Sequence, residues 1–303
     1  MDTELRRYRN AALADNTKAS YRTHRDTFIK FCAFFSYKPV PASSLTLSRF
    51  AAFLARTLRP QSVKVYMAGV RILHLELGYP SPIDNNWLLS TTLKGIMHLN
   101  ATAPRQKLPI TPAILLKLKH ALTRYDSFEC CFWAACLVAF YSFFRKSTLL
   151  TKSPGKHDCR RDLCKRDVTI TPTGAVIKVK HTKTLQDYSR HLLVPLPRIT
   201  GSPLCPVAAL ETLFDHVKYE PGDALFSFNK DGKTVPLTHR WFMLALKSML
   251  TKLGYDSAIY SGHSFRRGGA SYAFACGLPP NMIKTQGDWR SDAYERSLTY
   301  PLP

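Results

Sequence analysis

The sequence predicts a mainly α-helical chain in two parts, with a small antiparallel β-sheet in the second. Three observations carry that expectation. From residue 15 to 98, apolar side chains recur at the 3.6-residue spacing of helices that bury one face. Asn100 to Pro112 then breaks the pattern with three prolines, Arg105 and Lys107 in a polar setting, as an extended linker would. Beyond it, short β-branched runs flank Pro172-Thr173-Gly174, the pattern of a hairpin. The boundary is placed near residue 105, giving parts 1–105 and 106–303.

In the first part, four helices are expected. The first follows Asp15 and Asn16 and carries Tyr21, Phe28, Phe31, Cys32 and Phe35 on one face. Lys18, Arg22 and Arg25 lie on another face at i, i+4 and i+7, an all-positive stripe suited to phosphate contact, although such stripes are often only solvated surface. The second helix runs from about Thr46 to Leu58. The third starts at Pro60 and stops at Gly78, the usual asymmetry of proline at the start and glycine at the end. The fourth covers about Asn86 to Met97.

The second part opens with helices near Pro112–Tyr125 and Phe128–Phe144. The latter is the densest apolar stretch, but Glu129 and Ser142 interrupt it and Arg145 and Lys146 follow it, so it reads as a buried helix and not a membrane span. The hairpin Asp167–Thr171 and Ala175–His181 comes next, with a third strand at His191–Pro195. Helices are expected at about Pro206–Val217, Thr238–Leu253, His263–Cys276 and Pro280–Gln286, then a short closing segment.

The 303 residues carry 43 Lys and Arg against 21 Asp and Glu, a net charge of +22. Residues 1–105 hold 15 basic and 6 acidic side chains (+9), leaving +13 beyond, so both parts are basic. Such a surface attracts polyanions, and released counterions would add affinity for nucleic acid independent of its sequence. The charged start, Met1 to Asn10, has no apolar core, so no secretory leader is expected. Eight scattered cysteines fit a reduced intracellular compartment, nuclear if the source is eukaryotic. His157, Cys159 and Cys164 lack a fourth ligand at a zinc-like spacing, so no metal site is expected.

The chemistry-bearing residues are separated in the chain. In Ser261-Gly-His-Ser-Phe-Arg-Arg-Gly-Gly-Ala270, His263 and Arg266 share a helical face. The guanidinium grips a phosphate in two places while the imidazole shuttles a proton. Arg145 emerges from the apolar helix in Phe143-Phe-Arg-Lys-Ser147. Lys183 follows a strand in His181-Thr-Lys-Thr-Leu-Gln186, and Trp289 lies in Gly287-Asp-Trp-Arg-Ser-Asp-Ala-Tyr294. Each has a mundane reading: a helix-end cation for Arg145, one hairpin lysine among many for Lys183, core packing for Trp289.

Together and in this order, these strings resemble the tyrosine recombinase (phage-integrase-like) family over nearly the whole chain, and most of all the integrase-like recombinases of eukaryotic mobile elements. The resemblance implies a helical core-binding domain at 1–105 and a catalytic domain at 106–303. It implies that Arg145 and Arg266 clamp the scissile phosphate, that Lys183 protonates the leaving 5′ oxygen, that His263 assists proton transfer and that Trp289 hydrogen-bonds the phosphate. No metal or cofactor is implied, because the arginines meet the charge that develops on the phosphate oxygens. Double-stranded DNA is the implied partner, bound by a homodimer or homotetramer, with no membrane involved.

One position departs from the pattern. The family's string after the tryptophan, x-Ser-Asp-Ala-x-x-x-Tyr-Leu-Thr-x-Pro-Leu, is here Arg290-Ser-Asp-Ala-Tyr-Glu-Arg-Ser-Leu-Thr-Tyr-Pro-Leu302, so Ser297 takes the nucleophile's place. A serine hydroxyl reaches less far than a phenol, whose pKa is about 10, and attack demands close approach of the reacting atoms. Tyr300 and Tyr294 flank the site as substitutes, Pro301 working against a helix that would carry Tyr300. Thr148 also stands where many members have an acidic residue. The readings left open are a recombinase using a neighbouring tyrosine, a non-catalytic DNA-binding relic, and a type IB topoisomerase.

Overall fold

The computed structural model describes residues 1–102, 106–182, 185 and 190–298. The chain divides into two compact units, Met1–Arg105 and Gln106–Pro303.

The described residues of the first unit form helices α1 (Asp2–Ala11), α2 (Asp15–Phe34), α3 (Ser44–Ala55), α4 (Pro60–Glu76) and α5 (Trp87–Asn100). Local chemistry starts several of them. Ser43 Oγ accepts from the Thr46 amide at 3.1 Å and Asn86 Oδ1 from Leu89 at 3.0 Å, while Pro60 opens α4 with φ already helical. The periodic residues become the core: Phe28, Phe31, Cys32, Leu47, Phe50, Val70 and Leu89 are all buried. α1 was not expected from the sequence. None of its residues is buried, so it carries no apolar signal; Asp2 and Glu4 at its start and Arg9 at its end suit the helix dipole.

The second unit opens with α6 (Pro112–His120), capped by Thr111, and α7 (Ser127–Tyr141), capped by Asp126. α7 is buried without a break from Cys130 to Phe140, which makes it the central rod of this unit. A four-residue helix α8 (Lys146–Leu149) precedes the sheet β1 (Val168–Thr171), β2 (Gly174–Val179) and β3 (Leu192–Pro197), antiparallel in the order β1-β2-β3. Val168 pairs with Ile177 and Ile177 with Val194, so the alternate apolar side chains face the core. Then follow α9 (Pro206–His216), the hairpin β4 (Ser227–Lys230) and β5 (Lys233–Pro236), α10 (His239–Lys252), α11 (Gly262–Ala275), α12 (Pro280–Gln286) and a 3-10 segment, Asp292–Ser297. No helix among the described residues is long and apolar enough to cross a membrane. All eight cysteines are free thiols.

Three features depart from the periodicity. α6 ends at His120, short of Tyr125, and α7 at Tyr141, short of Phe144. Tyr125 and Phe143 take left-handed φ of 50° and 54°, which no helix continues through. The β4–β5 hairpin was missed, although Asp231-Gly232, with φ of 49° and 74°, is a strong two-residue turn signal.

α11 lies directly on the central rod and on the segment leading into α6. A Cβ at Gly268 would overlap the Ile110 carbonyl, and one at Gly269 the Phe140 carbonyl. Both obstacles are backbone, so no rotamer change relieves them. Gly269→Ala is therefore expected to cost at least about 3 kcal/mol, the upper end for overpacking, in urea unfolding; a loss below about 1 kcal/mol would contradict this packing.

Candidate active site

Arg266 sits in the second turn of α11, whose start is fixed by a reciprocal cap: Ser261 Oγ accepts from the His263 amide at 3.2 Å and Ser264 Oγ from the Ser261 amide at 2.9 Å. With the helix pressed onto α7, the Arg266 side chain is only 4% exposed. Its Nη1 donates to the Phe143 carbonyl, which the left-handed turn of Phe143 presents, and its guanidinium lies 3.5 Å from the centroid of the Trp289 ring. Nη2 is buried and has no hydrogen-bond partner among the described residues. Burial pushes the Arg266 pKa down to about 9; the neighbouring charge of Arg145 acts the same way and Asp288 opposes it. The site is thus a concentrated positive charge kept dry and only partly bonded.

Arg145 does not end the apolar helix as expected. α7 has already stopped, with the Ser142 hydroxyl accepting from the Phe144 amide, and Arg145 is the N-cap residue of α8, its carbonyl accepting from Thr148 at 2.8 Å and Leu149 at 3.2 Å. The cause is the reversal at Phe143. Gly262, beside His263, would bring a Cβ to 3.1 Å from the Lys146 side chain, so the first turns of α8 and α11 abut. Arg145, His263, Arg266 and Trp289 therefore belong to one neighbourhood, with His263 on the exposed side and Arg266 on the buried side of the same helix turn. Thr148, at the acidic position of the resemblance, is buried.

Trp289 reaches Arg266 because residue 287 is glycine: a Cβ there would overlap the indole. The ring also packs on Phe143 and, edge-on at 6.2 Å, on Tyr294, within a cluster completed by Ala270, Ala273, Ile283 and Leu298. Tyr294 is 8% exposed, a packing group of this cluster. Ser297 ends the 3-10 segment, partly buried, between the two anchored residues Tyr294 and Leu298. Tyr300 and Lys183 lie outside the described residues. The residue before Lys183, Thr182, donates from Oγ1 to Asp288 Oδ2 at 2.7 Å, and Arg190 donates from Nη2 to Asp288 Oδ1 at 3.3 Å. Asp288 drew no notice in the sequence, although its place in Gly287-Asp-Trp289 was visible.

In the first unit, the stripe on α2 is already partly engaged. Lys18 pairs with Asp15 and Arg25 with Glu76, each at 3.3 Å, and Arg22 is exposed. Such exposed pairs contribute little and yield readily to a stronger anion. Among the described residues no group of three or more His, Cys, Asp or Glu gathers as metal ligands would; His157 Nε2 lies 2.9 Å from the Gly222 carbonyl oxygen and 3.8 Å from Cys164 Sγ.

No family model matches the chain. An integrase/recombinase XerD homolog from Selenomonas ruminantium is 22% identical over 264 residues, covering 86% of this chain and 74% of that protein. A lambda integrase dimer bound to a COC′ core site superposes with a TM-score of 0.62 at 15% identity, over 99% of this chain and 96% of that one. The Tn1549 transposon integrase in complex with circular-intermediate DNA gives 0.62 at 14% identity, over 99% and 94%. The fold is that of the tyrosine recombinases. Within the tyrosine-recombinase fold, the Arg266 pocket and its Trp289 wall lie in the second unit, the one that also holds the sheet.

A buried cation short of partners weakens the folded state. The sign follows from the lowered pKa: the penalty is present at every pH below about 9 and fades only as pH rises through that value. Arg266→Met is accordingly expected to leave Tm in phosphate-free buffer unchanged or higher. A fall of more than about 3 °C, roughly 1 kcal/mol for a unit of this size, would mean that Arg266 is a structural residue.

Proposed function

We propose that this chain is a site-specific DNA recombinase of the tyrosine type, with residues 1–105 as a helical DNA-binding domain and 106–303 as the catalytic domain. The observation that carries the proposal is the buried Arg266 guanidinium, its Nη2 without a partner among the described residues, beside Arg145 and walled by Trp289. A phosphodiester supplies what that pocket lacks: anionic oxygens for Nη2 and a counter-charge for two arginines that otherwise repel. The net charge of +22, spread over both units, suits a polyanionic duplex as the partner.

In the cleavage step a phenol oxygen attacks phosphorus and the bond to the 5′ oxygen breaks. The 3′ side stays on the protein as a phosphotyrosyl ester and the other strand leaves as a 5′ hydroxyl. Lys183 gives its proton to that oxygen and His263 takes the proton of the phenol, while Arg145, Arg266 and Trp289 hold the non-bridging oxygens. The α2 stripe of Lys18, Arg22 and Arg25 contacts the backbone elsewhere. By analogy with the DNA-bound dimer of lambda integrase, the acting species is a dimer or tetramer on paired sites. The resemblance of the motif strings to those of recombinases of eukaryotic mobile elements supports work in the nucleus.

Ser297 favours a second reading, a protein that keeps the clamp and binds DNA without cutting it. Of the flanking tyrosines, Tyr294 is committed to packing, which leaves Tyr300 as the substitute nucleophile. A nicked suicide duplex traps the covalent adduct and separates the readings. Ser297→Tyr is expected to raise adduct yield by about 100-fold or more, the factor that an ångström of misplacement commands. An adduct formed by the parent and abolished by Tyr300→Phe assigns the attack to Tyr300. Stoichiometric DNA binding with no adduct from either the parent or Ser297→Tyr overturns the recombinase and leaves the binder.

A further inference from the structure

We propose that Asp288 is a positioning residue that ties the connection carrying Lys183 to the phosphate clamp; the proposal rests on the recombinase reading above. Four observations converge on it. Asp288 immediately precedes Trp289, so its backbone moves with the wall of the Arg266 pocket. Its two carboxylate oxygens are divided between the two ends of the β2–β3 connection: Oδ2 accepts from Thr182, the residue before Lys183, and Oδ1 from Arg190. The Thr182 side of the joint is dry, Thr182 being 5% and Asp288 9% exposed, while the Arg190 side chain lies at the surface. Thr182 passes the constraint on, since its Oγ1 accepts from the Leu185 amide at 3.0 Å and its own amide donates to the Leu185 carbonyl at 2.9 Å.

Asp288 also holds a left-handed φ of 50°, a conformation that aspartate adopts more readily than most residues and that turns the carboxylate toward the sheet while the next residue turns toward Arg266. A residue that only strengthened the fold would have no need to join these two places. A general acid works only if it is held within reach of the leaving oxygen, and the hydrogen bonds of Thr182 and Arg190 to Asp288 fix the described residues on both sides of the stretch that holds Lys183.

The test uses the full chain, in the parent and the Ser297→Tyr background, with Asp288→Asn and Thr182→Val as independent variants. Each is assayed on an ordinary suicide duplex and on one whose scissile 5′ oxygen is replaced by sulfur. A thiolate leaves without being protonated, so that substrate needs no general acid. Asp288→Asn is expected to slow cleavage of the ordinary duplex by about 100-fold or more, the usual contribution of a positioned acid, while cleavage of the sulfur duplex stays within a few-fold. Lys183→Ala should give the same pattern. Equal losses on both substrates, or no loss on the ordinary one, overturn the proposal. If no protein with Asp288 intact cleaves either duplex, it is the recombinase reading that fails. Amide exchange across residues 180–192 then judges the tether alone: faster exchange in Asp288→Asn supports it, and unchanged exchange overturns it.

Discussion

A guanidinium taken out of water and given one carbonyl as a hydrogen-bond partner is the constraint around which the second unit is arranged. Water would solvate Arg266 better than the protein does, so the fold has to force the burial. It does so with backbone. Two adjacent glycines let α11 settle onto carbonyl groups of the central rod and of the chain entering α6, a third at residue 287 lets the indole lie over the charge, and the left-handed turn at Phe143 aims a carbonyl at Nη1. None of these contacts neutralises the charge. What they achieve is a fixed dipolar environment that costs no rearrangement when an anion arrives.

The placement of Arg145 completes that logic. Had α7 run on as its apolar pattern promised, Arg145 would have been one more cation at a helix C-terminus, stabilised by the dipole. The reversal at residue 143 instead puts it at the head of a new short helix, near a second arginine whose pKa it depresses. Two like charges brought together near a low-dielectric interior are unfavourable unless something negative joins them. Among the described residues, Asp288 is the carboxylate that acts on Arg266 in the opposite sense, and it is occupied by Thr182 and Arg190.

Much of this was legible from the residues, and the failures have physical causes. The core of the first unit was visible because Phe28, Phe31, Leu47 and Phe50 recur with helical period, and the three-stranded sheet because β-branched runs bracket a glycine turn. The strings around Arg145, Arg266 and Trp289 pointed to one neighbourhood through the family resemblance that they carry together. Helix ends were misplaced at Tyr125 and Phe143 because a left-handed aromatic residue announces nothing locally; tertiary packing holds it. α1 was invisible for want of any buried side chain. Asp288 was passed over because its meaning lies in partners about a hundred residues away, whereas the β4–β5 hairpin was missed despite a plain Asp-Gly signal.

Trp289 has a double allegiance. One face of its ring lies against the Arg266 charge, and its edge packs in the cluster that seats Tyr294 and Leu298, on either side of Ser297. The indole therefore acts as a mechanical link between the anion pocket and the last described turn. Whatever loosens that turn tilts the ring and degrades the pocket, and by thermodynamic reciprocity an occupied pocket stiffens the turn. On the recombinase reading proposed above, residue 297 would thus be coupled to occupancy of the clamp whatever side chain it bears. On that same reading, a lineage could lose its attacking group in a single codon and still feel, at that very position, whether DNA is there.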